Sequence, residues 1–408
     1  MAPATTTETR TTTAPAKRIV AELKSLESGL VNPFYSPSAD STGDDEYKYA
    51  NFKPHFPVVN WEPLTEQEVT DRGLFADPEK KALFSAAQKV KHLTPVIGTE
   101  VTGIDLRQLT PAQKDELPDS ALLVAERGVV FFRDQELNIH EQLELARYLG
   151  PLHKHATTGV PREPGLEEVH VVYNNVANRP NPVAFAKSDL WHSDVSYEIQ
   201  PPSTTFLKVI TSPEYGGDTL WTSGYALYSS LSPGFQKYLE GLAALHSAVA
   251  QAEGARAQGL HVRREPVENI HPVVRVHPVT GWKSIYVNKG FTRRIVGVPK
   301  AESDAILQFL FLQLSENVDF QVRFRWETNS VAIWDNRVVT HSATFDFWPQ
   351  TRHALRTTPH GEKPESVADY ERRTGKVAKD YQTEIWKKQG IEPPQADTGV
   401  VKVRGYND

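Results

Sequence analysis

The sequence predicts a mainly β chain with helical insertions, arranged as an antiparallel sandwich or barrel. Three observations carry that prediction. Short apolar runs bounded by Gly, Pro, Asn and Asp recur through the second half of the 408 residues, as strands joined by turns do. Val322, Phe324 and Trp326 alternate with Arg323 and Arg325, the period-two pattern of a half-buried strand. Helical spacing is confined to insertions and does not alternate with the strands, which argues against βαβ units.

Residues 1–16 are Thr, Pro and Ala with almost nothing to bury, and are expected to be disordered. Residues 17–94 are polar and Pro-rich, with an acidic stretch at 40–46. They read as an arm with short helices, packed on the main body. The core domain is expected over 95–364, opening at Pro95-Val96-Ile97-Gly98. Thr110 and Pro111 supply the N-cap and first-turn proline of a helix running toward Glu126, with Pro118 as a breaker. Gly128-Val129-Val130-Phe131-Phe132 is a buried strand flanked by charges. Asn138 caps a helix that turns Leu143, Leu145 and Leu149 inward and closes at Gly150.

Strands follow at 205–210 and from Thr219, joined through the Gly216-Gly217-Asp218 turn. Ser232-Pro233 starts a helix expected to reach Leu245. Segments 270–276 and 283–287 pair across Pro278-Val279-Thr280-Gly281, and 301–316 is an apolar helix. Glu327-Thr328-Asn329-Ser330 turns into a strand at Val331. The stretch 251–269, rich in Gly, Arg and Glu, has the composition of a lid. Residues 365–408 read as a polar C-terminal extension, helix plus extended end.

The chain is long enough for one large or two ordinary domains with a substantial core. Its net charge of −6 argues against a general nucleic-acid or anionic-membrane partner. No apolar run approaches the ~20 residues of a membrane helix, and residues 1–16 lack the apolar centre of a secretory signal. With no cysteine, disulfides, zinc-thiolate sites and thiol nucleophiles are excluded. The cytoplasm is the expected compartment.

Trp191-His192-Ser193-Asp194 is the most informative run. On a strand, His192 and Asp194 would point to one face. His341, far downstream in Trp334-Asp335-Asn336-Arg337-Val338-Val339-Thr340-His341, could complete the two-imidazole, one-carboxylate facial triad that holds non-haem Fe(II) and leaves positions open. Spacing alone is weak. With 14 histidines and 51 acidic residues, about two His-x-acid pairs arise by chance at this composition. Two occur, the other being His360-x-Glu362. His153-x-His155 is a further candidate pair without a carboxylate. Downstream, Arg352, Ala354 and Arg356 alternate, so both guanidiniums leave one face. Arginine's fork suits carboxylate or sulfonate, and two arginines on the solvent face of an edge strand fit the spacing equally well.

In combination these residues resemble the taurine/α-ketoglutarate dioxygenase family. The resemblance rests on Trp191 to Tyr197 with Pro201-Pro202, Gly216-Gly217-Asp218-Thr219-Leu220-Trp221, and Trp334-Asp335-Asn336-Arg337 with His341, Arg352 and Arg356. Arg127 to Gln135 and Asn288-Lys289-Gly290-Phe291-Thr292 also match. It runs in order from about Pro95 to Pro364, and the flanking segments look like the extensions of fungal members.

The resemblance implies a double-stranded β-helix (jelly roll) and an enzyme using Fe(II), 2-oxoglutarate and O2. His192, Asp194 and His341 would ligate Fe(II), while Arg352 and Thr219 would bind the distal carboxylate of 2-oxoglutarate. Arg356 and His155 would meet the substrate anion, with Phe291 and Phe345 as apolar walls. The implied reaction is hydroxylation of a small anionic substrate of sulfonate type, releasing sulfite and an aldehyde. Thr158, Ser188 and a small residue near Ala250 to Ala252 depart from the taurine pattern. An aliphatic amino acid oxidised by hydroxylation, desaturation or ring closure is therefore the alternative. A zinc-bound or non-catalytic jelly-roll anion binder is a third reading. The family also implies a homo-oligomer, dimer or tetramer, with no nucleic acid or membrane as partner.

Overall fold

The computed structural model describes residues 46–117, 122–177 and 187–392. The expectations for residues 1–16, for the start of the arm, for Pro118 and for the end of the C-terminal extension lie outside these residues.

Two sheets position the site. In chain order their strands are β1 (Lys89–His92), β2 (Thr99–Thr102), β3 (Val129–Phe132), β4 (His170–Asn174), β5 (Thr204–Thr211), β6 (Thr219–Ser223), β7 (Gln321–Phe324), β8 (Val331–Asp335), β9 (Val339–Ala343) and β10 (Arg352–Thr357). The seven-stranded sheet runs β1-β2-β3-β8-β5-β10-β4, and the three-stranded sheet runs β7-β6-β9. Only β2 and β3 pair in parallel.

The pleat of β3 sorts its side chains between two cores. Phe131 turns toward the small sheet, stacking on Phe324 at 4.0 Å and meeting Trp221 edge-on at 5.2 Å. Val130 and Phe132 face the other way, against Leu143 and Leu145 of the helix Ile139–Arg147. Asn138 and Glu141 close the capping box that starts this helix. Each fully buried Phe or Leu stabilises the sheet by ~1.5–3 kcal/mol relative to exposure. The centre of the large sheet is therefore covered on both faces, which is why β3 and β8 read as continuous apolar runs.

The described part of the arm is stitched to this frame. The Tyr47 hydroxyl lies 2.6 Å from Thr211 Oγ1, and His353 Nε2 donates to the Phe52 carbonyl at 2.9 Å. Arg337, buried on the turn after β8, donates to Asp71 at 2.5 Å and to Glu362 at 3.2 Å.

Several expectations shift. The helix from Pro233 ends at Glu240, and Leu245 lies in a strand, Ala243–Ser247, that pairs with Glu268–Pro272. Gly241 follows the helix and breaks its propagation. Ile270 thus belongs to that pair, and the expected hairpin shrinks to Val274–Val276 with Lys283–Ile285. The helix begun at Thr110 ends at Glu116, and a second one, Leu122–Arg127, precedes β3. Strand β1 joins the large sheet ahead of Pro95. Among the described residues no helix is long and apolar enough to cross a membrane.

Candidate active site

Strand β8 leaves the large sheet, turns through Asn336-Arg337-Val338, and re-enters as β9 in the small one. That turn delivers His341. His192 meets it by reciprocal backbone hydrogen bonds, His192 N–H to the His341 carbonyl at 3.0 Å and the reverse at 2.8 Å. The expected strand at His192 is only this single bridge, followed by a turn with Val195 at φ 38°. Convergence comes from the bridge to β9 and not from strand pleat. A positive φ at a β-branched residue is strained, and here it lies beside the site.

The ligand-capable atoms of His192, Asp194 and His341 lie within 4.8 Å of one another, the one such group among the described residues. Asp194 Oδ1 is 3.6 Å from His192 Nε2 and 3.9 Å from His341 Nε2. His192 Nδ1 lies 2.7 Å from the Leu190 carbonyl. A carbonyl only accepts, so Nδ1 is the donor there and Nε2 is the nitrogen turned toward Asp194. Burial, then the neighbouring His192, holds His341 well below the ordinary imidazole range. Burial opposes ionisation of Asp194, but Arg356 and the two imidazoles outweigh it and keep the carboxyl well below its usual range. Its Oδ2 accepts from Thr205 Oγ1 at 2.7 Å, and Thr205 in turn accepts from Asn336 at 2.8 Å. Two imidazoles and an ionised carboxylate, oriented by outer partners, fit a divalent metal.

One end of the site lies inside the sheets. Strand β10 runs between β5 and β4, so Arg352 is no edge residue and is only 4% exposed. The Gly216-Gly217 turn passes directly over it. At Gly217, φ is +68° and an added Cβ would stand 3.1 Å from Arg352 Cδ, so glycine is required there. Trp326 lies 5.7 Å from the guanidinium and donates through Nε1 to Thr219 Oγ1 at 2.9 Å. Burial pushes the guanidinium down to about 10, countered by Asp218. Arg352 Nε meets no hydrogen-bond partner among the described residues. A buried cation short of acceptors is a carboxylate seat.

The other end is a cavity lined by His155, His170, Asp194, Val195 and Arg356, among others. Arg356 Nη1 donates to Asp194 Oδ1 at 2.7 Å, Nη2 meets His170 Nδ1, and Nε is without a partner among the described residues. Phe291 is buried edge-on to His192 at 5.9 Å and to Tyr197 at 5.0 Å. Phe345 does not line this cavity; it follows β9 with its ring 6.3 Å from Phe347. The stretch expected as a lid holds buried Arg263, which donates to the carbonyls of His155 (2.7 Å) and Thr158. Arg263 in turn sits 4.8 Å from the Trp61 ring of the arm.

Neither rival pair belongs to the metal-ligand group found among the described residues. His153 Nε2 lies 3.1 Å from Glu198, and Glu362 pairs with Arg337 and Arg275. Nothing in the sequence marks the roles of His170, Thr205, Trp326 or Trp61, because each acquires its role only through cross-strand or cross-segment pairing. The side chain of Ser188 lies outside the described residues.

A family model described as taurine catabolism dioxygenase TauD, TfdA family matches residues 89–358. A Schizosaccharomyces pombe protein named as a putative alpha-ketoglutarate-dependent sulfonate dioxygenase is 47% identical over 323 residues, covering 78% of this chain and 81% of that protein. The Saccharomyces cerevisiae alpha-ketoglutarate-dependent sulfonate dioxygenase is 42% identical over 338 residues, covering 78% and 79%. The crystal structure of a putative alpha-ketoglutarate-dependent taurine dioxygenase from Burkholderia xenovorans superposes with a TM-score of 0.59 at 32% identity, covering 69% of this chain and 95% of the other. Sequence, fold and site agree, and this chain belongs to the TauD, TfdA family of dioxygenases.

Proposed function

We propose that this enzyme uses Fe(II), 2-oxoglutarate and O2 to hydroxylate a small aliphatic sulfonate at the carbon beside sulfur, releasing sulfite and an aldehyde. The observation that carries the reading is the anion cavity of Arg356 and His155, which opens directly onto Asp194 of the triad. Two of its relatives are named as sulfonate dioxygenases.

His192, Asp194 and His341 hold the iron, which when bound supplies oxygen activation coupled to oxidation of 2-oxoglutarate to succinate and carbon dioxide. Arg352 and Thr219 anchor the distal carboxylate of 2-oxoglutarate in the interior. Arg356 and His155 hold the sulfonate, and Phe291 walls the space beside His192. Placement by these groups selects the C–H bond that reacts. The two facing sheets form a double-stranded β-helix over 95–364, joined ahead of Pro95 by β1. The described parts of the arm, from residue 46, and of the extension, to residue 392, pack on it. A cytoplasmic homo-oligomer, dimer or tetramer, completes the reading.

The test is anaerobic titration of the protein with Fe(II) and 2-oxoglutarate, followed visibly, then oxygen with a panel of sulfonates and aliphatic amino acids. Sulfonate-stimulated succinate with matching sulfite is the expected result. Succinate stimulated only by amino acids would replace the substrate class, and absence of both band and succinate would leave an anion binder.

A further inference from the structure

We propose that His170 is a specificity-determining residue of the substrate pocket. In this assignment its Nδ1 fixes the plane of Arg356, and its Nε2–H adds a third donor group for a three-oxygen anion. The inference rests on the sulfonate reading above and deepens it.

The placement is rigid. His170 on β4 stands directly opposite Arg356 on β10 in the antiparallel register, so the two side chains leave the sheet as a cross-strand pair. Their heads meet, Arg356 Nη2 against His170 Nδ1. A guanidinium has no lone pair to offer, so Nδ1 is the acceptor. In a neutral imidazole the proton then resides on Nε2. The same logic holds for His155, whose Nδ1 accepts from the Thr157 backbone N–H at 3.3 Å, leaving its Nε2 protonated as well. Burial, with Arg356 beside His170 and with His170 and His153 beside His155, keeps both rings neutral.

The two rings stand 5.3 Å apart and line one cavity with Arg356. Three separate groups thus offer N–H donors around a single space, and only one of them carries charge. A sulfonate or sulfate ester has three equivalent oxygens in a tetrahedral array and one negative charge. A carboxylate has two oxygens in a plane and would leave one donor unmatched, which a buried site penalises.

The experiment uses the full chain, wild type and the variants His170→Phe and His170→Gln. Phenylalanine keeps the aromatic volume without either nitrogen. Glutamine restores an acceptor and a donor. Binding of 1-butanesulfonate to metal-free protein is measured by calorimetry. In turnover, KM and kcat for 1-butanesulfonate are read from succinate, and 2-oxoglutarate affinity is read from the visible band of the anaerobic Fe(II) enzyme. His170→Phe is expected to weaken butanesulfonate ~10- to 100-fold, in binding and in KM, with kcat and 2-oxoglutarate affinity within about twofold. His170→Gln is expected to recover most of the loss.

Butanesulfonate binding by His170→Phe within twofold of wild type overturns the role. So does an equal loss of butanesulfonate and 2-oxoglutarate, or the absence of recovery in His170→Gln. If the wild type itself fails to bind butanesulfonate, the sulfonate reading falls and this one with it. If the wild type binds butanesulfonate and the variants give any of those overturning results, the role of His170 alone falls.

Discussion

The two ends of the active site are built in opposite ways. The Arg352 end is made inside the double sheet, from β10, the Gly216-Gly217 turn and Trp326, all within the segment that matches the family. The Arg356 end is lined by parts remote from one another in sequence, the loop at His155 and His170 on β4, with Arg263 bonded to the His155 carbonyl and Trp61 behind it. The contrast teaches that the Arg352 end is closed by the frame alone, while at the Arg356 end two frame strands are joined by a loop. A sheet interior fixes a guanidinium to within its rotamer, whereas loops and an arm can be exchanged without dismantling a strand.

Breaking the shared centre should have the largest effect. His192→Ala removes a metal ligand, so turnover should fall by more than the ~10- to 100-fold typical of losing an outer-shell partner, and iron content should fall with it. Retained turnover at full iron loading would remove His192 from the triad. Arg352→Ala should then separate the two ends: 2-oxoglutarate affinity drops by on the order of 2–3 kcal/mol, the scale of a charge-assisted hydrogen-bond pair, while substrate affinity holds. Equal losses for both reactants would erase the distinction.

Trp61→Ala should do the converse and more mildly. Loss of the cation–π contact on Arg263, about 0.5–2 kcal/mol, should raise KM for the sulfonate several-fold and leave 2-oxoglutarate untouched. A change in 2-oxoglutarate affinity instead would show that the arm braces the whole barrel.

The last effect concerns stability and is confined to acid. Burial holds His353 and His360 down to about 4, from an ordinary 6.5. Between those values the unfolded chain binds more protons than the folded one. Stability is therefore complete above pH 6.5 and is lost as pH falls toward 4. His360→Gln should reduce that slope by up to ~1.4 kcal/mol per pH unit, measured by urea unfolding across the window. An unchanged slope would clear His360 of any part in acid sensitivity.

The difference between the ends also explains what the sequence could reveal. Asp194, His192 and His341 are legible because each sits in an apolar or turn context with its own pattern, and the Gly-Gly-Asp turn announces the strand with Thr219. The alternation at Arg352, Ala354 and Arg356 shows a common face. It cannot show that β10 is central and not at an edge, because that depends on β4 and β5 closing on either side. His170 is silent for the same reason: its partner lies across a ladder, 186 residues away. Leu245 was misplaced because a helix stop at Gly241 is weak in sequence, while the pairing with Glu268–Pro272 is strong in space.

The position of β10 also matters during synthesis. It fills the gap between β5 and β4, yet it is the last strand of the large sheet to be made. A nascent chain that has emerged only as far as β9 presents two long unpaired strand edges to its surroundings, the kind of surface that recruits neighbouring chains. Both arginines arrive with that closing strand. An early stop codon before it thus yields an aggregation-prone fragment and not a partly active enzyme.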